Sequence, residues 1–156
     1  MHLHLKTEVA QSPEQVWQGF DQSLFLALSP PFPPVRLKQF GMNAGEKVVL
    51  ELRFPGFVQE WVSYLPESGR MENGGYYFID IGEKLPFFLR SWQHRHLLEP
   101  APGGGTWIVD DIQFEGPNPL MGYLLYPALW LQFLYRKPVY RRFFGRVKRA
   151  SSAIRR

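Results

Sequence analysis

Trp92-Gln93-His94-Arg95-His96-Leu97-Leu98-Glu99 and, after the break Pro100-Ala101-Pro102-Gly103-Gly104-Gly105, Thr106-Trp107-Ile108-Val109-Asp110-Asp111-Ile112-Gln113-Phe114 are the two runs from which the fold is read. Both alternate with a period of two, as half-buried strands do. Trp92, His94, His96 and Leu98 share one side of the first run, while Ser91, Gln93 and Arg95 take the other. In the second run Ile108, Asp110, Ile112 and Phe114 share the apolar side. The intervening Pro/Gly segment cannot hold a crossover helix, so the two strands are expected to form an antiparallel hairpin. A loop centred on residue 102 or 103 sets Asp110 opposite His94 or His96, with both histidines facing inward.

Moving outward from this hairpin, similar runs occupy 35–40, 47–54, 57–65 and 75–81, and the first strand of the hairpin is expected to begin at 87. Breaks fall at 41–45, 55–56, 66–73, 82–86 and 100–105, and the succession predicts an antiparallel meander of six strands. Residues 2–9 alternate as well and supply a seventh strand. Between 9 and 35, Ser12-Pro13-Glu14-Gln15 reads as an N-cap, a proline in the first turn and a capping box. It opens a short helix with Val16, Trp17 and Phe20. Asp21 caps a second helix, which runs through Leu28 and stops at the prolines of 30–34.

Residues 120–149 are predicted to form a long C-terminal helix whose buried stripe includes Trp130, Phe133, Leu134, Tyr140, Phe143, Phe144 and Val147. Arg141, Arg142, Arg146, Lys148 and Arg149 fall largely on its other side, and Pro127 and Pro138 are expected to kink or interrupt it. The uncharged run from Gly116 to Tyr135 is too broken by proline to read as a membrane span. The whole is an α+β fold: a seven-stranded antiparallel sheet curved on a long C-terminal helix, with two short helices after strand one. One domain covers 1–150, and 151–156 form a frayed basic tail. A curved sheet gripping a helix leaves room for an apolar pocket with a few polar groups, the usual form of a small-molecule site.

Composition agrees with one globular domain: 156 residues, 45% hydrophobic and 21% charged. The chain has no cysteine, which excludes thiol catalysis, zinc ribbons and disulfides and is compatible with a reducing compartment. The N-terminus lacks the apolar core of a signal peptide, so a cytoplasmic location is expected. Residues 1–116 hold 9 Lys/Arg and 14 Asp/Glu, a net −5, whereas 117–156 hold 9 Lys/Arg and no acid, a net +9. The basic end makes an anionic membrane surface a candidate partner. No nucleic-acid motif accompanies it, and nucleic acid is not an expected partner.

The order and spacing of these features resemble the helix-grip, or SRPBCC, superfamily, which includes START lipid-transfer domains, pollen-allergen-like proteins and polyketide cyclases. The resemblance covers nearly the whole chain. It rests on Ser12-Pro13-Glu14 with Val16-Trp17 and Phe20, the Leu28-Ser29-Pro30-Pro31 corner, Gly45, Trp61, and above all Trp92-x-His94-x-His96-x-Leu98-Glu99. Thr106, Asp110, Ile112, Phe114, Pro117 and Gly122 continue the pattern of one bacterial branch. The sequence departs from it at Leu85-Pro86-Phe87, where Gly-Pro-Phe is expected. The resemblance implies a hydrophobic or amphipathic small-molecule ligand, such as a lipid, polyketide or aromatic compound. Cyclase or dehydratase chemistry and lipid carriage at a membrane are its alternatives.

Candidate ligand-binding residues are Trp61, Tyr76, Phe78, Asp80, Trp92 and Phe114. Asp80 is expected near Arg90 or Trp92, chiefly as a structural hydrogen-bonding group. Candidate catalytic residues are His94, His96 and Asp110, since a carboxylate beside an inward imidazole fixes its tautomer and can raise its pKa. The same contact would serve to satisfy two buried polar groups. No cofactor is implied. No metal is expected either: His94 and His96 are spaced to chelate, but spacing supplies no third ligand. His2 and His4 share an outward face and are read as solvent-facing.

Overall fold

A computed structural model describes residues 1–154, with side chains described through Phe144. The elements in chain order are β1 (His2–Val9), α1 (Pro13–Gln18), α2 (Gln22–Ala27), β2 (Val35–Gln39), β3 (Lys47–Phe54), β4 (Phe57–Tyr64), β5 (Ser68–Arg70), β6 (Tyr76–Lys84), β7 (Ser91–Pro100), β8 (Thr106–Glu115) and α3 (Pro119–Ile154). A 3₁₀ turn at Pro102–Gly104 joins β7 to β8. All strand pairs are antiparallel, in the order β1-β8-β7-β6-β4-β3-β2, with β5 laid against β6.

The strand expected at 87–99 begins only at Ser91, because Leu89 closes a turn onto the carbonyl of Pro86. The break expected at 82–86 is still partly sheet: β6 runs on to Lys84 and pairs with β4 across a register shift between Val62 and Ser63. Gly82 makes this possible, since a Cβ there would meet the Leu85 side chain and Cβ of Trp92. The extra strand β5 lies inside the expected break at 66–73 and is held by Ser68 opposite Phe78 and Arg70 opposite Tyr76. Three residues without alternation carry no strand signal of their own; the partner imposes the conformation.

Ser12 accepts from the Gln15 amide while the Gln15 side chain accepts from the Ser12 amide, and Asp21 caps α2 through the Leu24 amide. These two corners seat Val16, Leu24 and Leu28 against the sheet with Leu98, Ile108, Tyr140 and Phe144. A second cluster joins Leu3, Trp92, Ile112 and Phe114 to Leu129 and Phe133 of α3. Neither Pro127 nor Pro138 interrupts α3. Both lie on its exposed side, where carbonyls released from helix bonding can face water. The expected tail at 151–156 begins within the last turn of α3, and 155–156 lie outside the described residues. So do the side chains of Arg146, Val147, Lys148 and Arg149.

Candidate ligand cavity

A hairpin closed by five residues fixes its register: His96 stands opposite Asp110, His94 opposite Ile112 and Trp92 opposite Phe114. On the other side of β7, Asp80 stands opposite His94 and Phe78 opposite His96. Because these positions share one parity, the pleat places Phe78, Asp80, Trp92, His94, His96 and Asp110 on the concave face. α3 crosses that face and adds Phe133, Arg136 and Tyr140 at helical spacing.

Between sheet, α2 and α3 lies a cavity of about 160 Å³. Its walls include Leu24, Phe25, Leu50, Trp61 and Phe133, and its polar groups include Ser63, Asp80, His94, His96, Gln132 and Arg136. Of the ligand-binding residues expected from sequence, Trp61, Phe78, Asp80 and Trp92 border this space. Tyr76 and Phe114 are placed elsewhere: Tyr76 stacks on Trp17, ring centroids 5.2 Å apart, and Phe114 is buried in the core beside Ile112. Asp110 sits behind the histidines rather than on the cavity wall.

Nε2 of His94 donates to Oδ1 of Asp110 at 2.9 Å, an arrangement that places the proton on Nε2 and leaves the Nδ1 lone pair as the ring's remaining acceptor. Nδ1 of His96 is 3.7 Å from the same oxygen and has no hydrogen-bond partner among the described residues. The His94 and His96 rings lie 3.5 Å apart between centroids, and Phe78 stacks on His96 at 4.0 Å. From α3, Nη1 of Arg136 reaches 3.9 Å from Oδ1 of Asp110, with its guanidinium 4.1 Å above the Phe133 ring. Oδ1 of Asp80, Nε1 of Trp92, Nε of Arg136 and the Tyr140 hydroxyl also lack partners among the described residues.

Burial, followed by the charge of Arg136, holds the His94 imidazole well below its ordinary pKa; burial and the neighbouring His94 do the same to His96. Both rings are therefore neutral and serve as donor–acceptor groups before they serve as strong bases. Burial raises Asp110, against the pull of Arg136 and His96. It pushes Asp80 up to about 6, only partly offset by Ser63, Arg136 and Trp92.

Asp80 therefore makes a measurable pH signature. Between about pH 4 and 6 the folded chain holds a proton there that the unfolded chain has lost, so stability falls as pH rises through this window. The loss is roughly 3 kcal/mol at full effect. Asp80→Asn lacks it, and the buried histidines contribute equally to both proteins. Urea titrations at pH 4.0 and 6.5 should show the variant gaining on the wild type; a constant difference between them would place Asp80 in contact with water.

Arg136 escapes a charge-pattern reading because it opens the basic segment. It nevertheless lies three residues after Phe133 and four before Tyr140, on the stripe of α3 that the sheet buries. Ser63 and Leu50 give no chemical signal in sequence beyond alternation.

The sheet order, the α1–α2 corner and the crossing of α3 can be compared with known structures. An aromatase/cyclase from Streptomyces sp. R1128 superposes with a TM-score of 0.67 at 14% identity, covering 96% of this chain and 94% of that one. The chain has the helix-grip fold. Norcoclaurine synthase from Thalictrum flavum, in complex with a transition state analogue, shares the helix-grip architecture at a TM-score of 0.66 and 12% identity, over 95% and 96% of the two chains. A Thermus thermophilus protein does so at 0.62 and 16%, over 97% and 99%. No family model matches the sequence. No curated protein matches it. At these identities the likeness concerns the helix-grip frame, and the polar cluster must be judged from this chain's own residues.

Proposed function

We propose that this protein binds a small hydrophobic or amphipathic molecule between its sheet and α3, with the polar end of the ligand at Asp80, His96 and Arg136. The observation that carries this reading is an apolar cavity ending in buried polar atoms that lack partners among the described residues. An unpaired buried polar group costs about 1–3 kcal/mol, a cost that a ligand with complementary groups offsets. The volume of about 160 Å³ compares with the roughly 150 Å³ cavity that admits benzene. It favours a ligand portion of one or two rings, or a short chain, over a fused polyketide. Native mass spectrometry of the purified chain, with solvent extraction, tests the proposal: a reproducible bound mass supports it. Failure to bind any member of a small aromatic and fatty-acid panel would overturn it.

Acid–base catalysis by His94 and His96, with Asp110 orienting His94, is a further role for the same residues, favoured by the His94–Asp110 hydrogen bond. Its test is retained turnover in a His94→Gln/His96→Gln chain that still binds, which would reject the assignment.

Uptake from an anionic membrane is a second reading, favoured by the outer side of α3. Leu120, Tyr123, Leu124, Leu131 and Tyr135 are exposed along one side, Leu120 by 69% and Tyr123 by 71%, and no charge occurs between 116 and 135. Exposed Arg141 and Arg142 follow. Aromatic residues next to cations match the interface of an anionic bilayer. No helix among the described residues is long and apolar enough to cross a membrane. The chain should sediment with phosphatidylglycerol-containing vesicles and be released at least tenfold by Leu124→Asp/Leu131→Asp; binding indifferent to lipid charge, salt and these substitutions contradicts this reading.

A further inference from the structure

Asp80 on β6 and His94 and His96 on β7 each offer a donor atom, and these atoms lie within 4.8 Å of one another. Small side-chain rotations bring donors so spaced onto a common ion at about 2.0–2.2 Å. This third donor is the one that sequence spacing did not supply: it comes from the neighbouring strand, in register with His94. We propose that Asp80, His94 and His96 form a binding site for a divalent first-row transition ion at the polar end of the cavity.

Several independent features agree with such a site. His94 already donates Nε2–H to Asp110, the arrangement in which a carboxylate orients a metal-bound imidazole, and only its Nδ1 is left to ligate. Oδ1 of Asp80 and Nδ1 of His96 are buried without hydrogen-bond partners among the described residues, so free donor capacity is available on both residues. Burial keeps both imidazoles neutral, the form that binds metal. Two buried carboxyl groups, Asp80 and Asp110, face a single guanidinium among the described residues, Arg136, so metal binding that displaces their protons leaves the cluster short of one positive charge. A divalent ion turns that deficit into a single positive charge. Two histidines and one carboxylate leave coordination positions open, and an anionic ligand head entering the cavity would fill one and neutralise the cluster.

The site requires no organic ligand, so it is tested separately from the binding reading. A second cluster, His2, His4 and Asp111, lies on the outer face and would also collect added metal. Co²⁺ is therefore titrated into the full chain carrying His2→Ala/His4→Ala, followed by visible absorption and by metal analysis after desalting. One retained Co²⁺ per chain is expected. Asp80→Asn or His96→Gln should abolish retention, and Asp110→Asn should weaken it about 10–100-fold. No retained Co²⁺, or retention unchanged in both folded ligand variants, would overturn the proposal. If the variants fail to fold, the unsubstituted chain decides: Co²⁺ must shift the ring resonances of Phe78 and Trp92, and shifts confined to β1 overturn it. Co²⁺ retention without any organic ligand would defeat only the binding reading; the reverse result would defeat only this one.

Discussion

Asp110→Ala should destabilise the fold by about 3–5 kcal/mol, the cost of stranding one partner of a buried ion pair. The carboxylate is the hydrogen-bond acceptor for His94 and the nearest acid to Arg136. Its side chain is 3% exposed and that of Arg136 is 14% exposed, so water cannot easily replace what is removed. The truncation leaves an uncompensated guanidinium and an imidazole N–H without its acceptor. Adding Arg136→Met should restore much of the loss, because replacing both charges by apolar groups removes the desolvation penalty together with the attraction. Urea unfolding of wild type, both single variants and the double variant forms the test cycle. Simple additivity would show that Asp110 and Arg136 do not act as a pair; a loss below about 1 kcal/mol in Asp110→Ala would show that Asp110 carries no buried charge.

The largest expected functional effect comes from Leu50→Trp. Leu50 lies on β3 opposite Trp61, is only partly buried and borders the cavity. An indole at this position would fill ligand space from the apolar wall of the cavity and leaves every residue of the polar cluster unsubstituted. Overpacking of this kind typically costs about 1–3 kcal/mol, which leaves a way to separate occlusion from unfolding. The folded variant should lose any co-purifying ligand, or bind the best small-molecule probe at least tenfold more weakly, while keeping the pH signature of Asp80. Undiminished ligand binding by folded Leu50→Trp would place the ligand elsewhere.

Much of this site was legible in the chain because strands of period two convert residue parity into a shared face. His94, His96 and Asp110 could be brought together from the length of one hairpin loop, and the structure realises the His96–Asp110 pairing. Asp80 lay further from reach. Its partner on β7 depends on a six-residue turn and on how far β6 continues through Gly82, neither of which alternation reveals. Arg136 depends on which stripe of α3 meets the sheet, and its charge argues for the wrong side. Tyr76 and Phe114 show the opposite difficulty: inward parity identifies a core-facing side chain without saying whether a void or a neighbour stands before it.

The long helix follows the sheet in the chain, and this order has a consequence during synthesis. When β8 has left the ribosome, the strands from β1 to β8 are complete, with β1 able to pair across more than a hundred residues to its partner. Yet Leu129, Phe133, Tyr140 and Phe144, which cover the concave apolar surface, have still to emerge. The nascent sheet must therefore wait with its interior uncovered, the period in which unfinished chains are most prone to associate. Slowed translation between residues 116 and 144 should increase aggregation more than the same delay placed after 144.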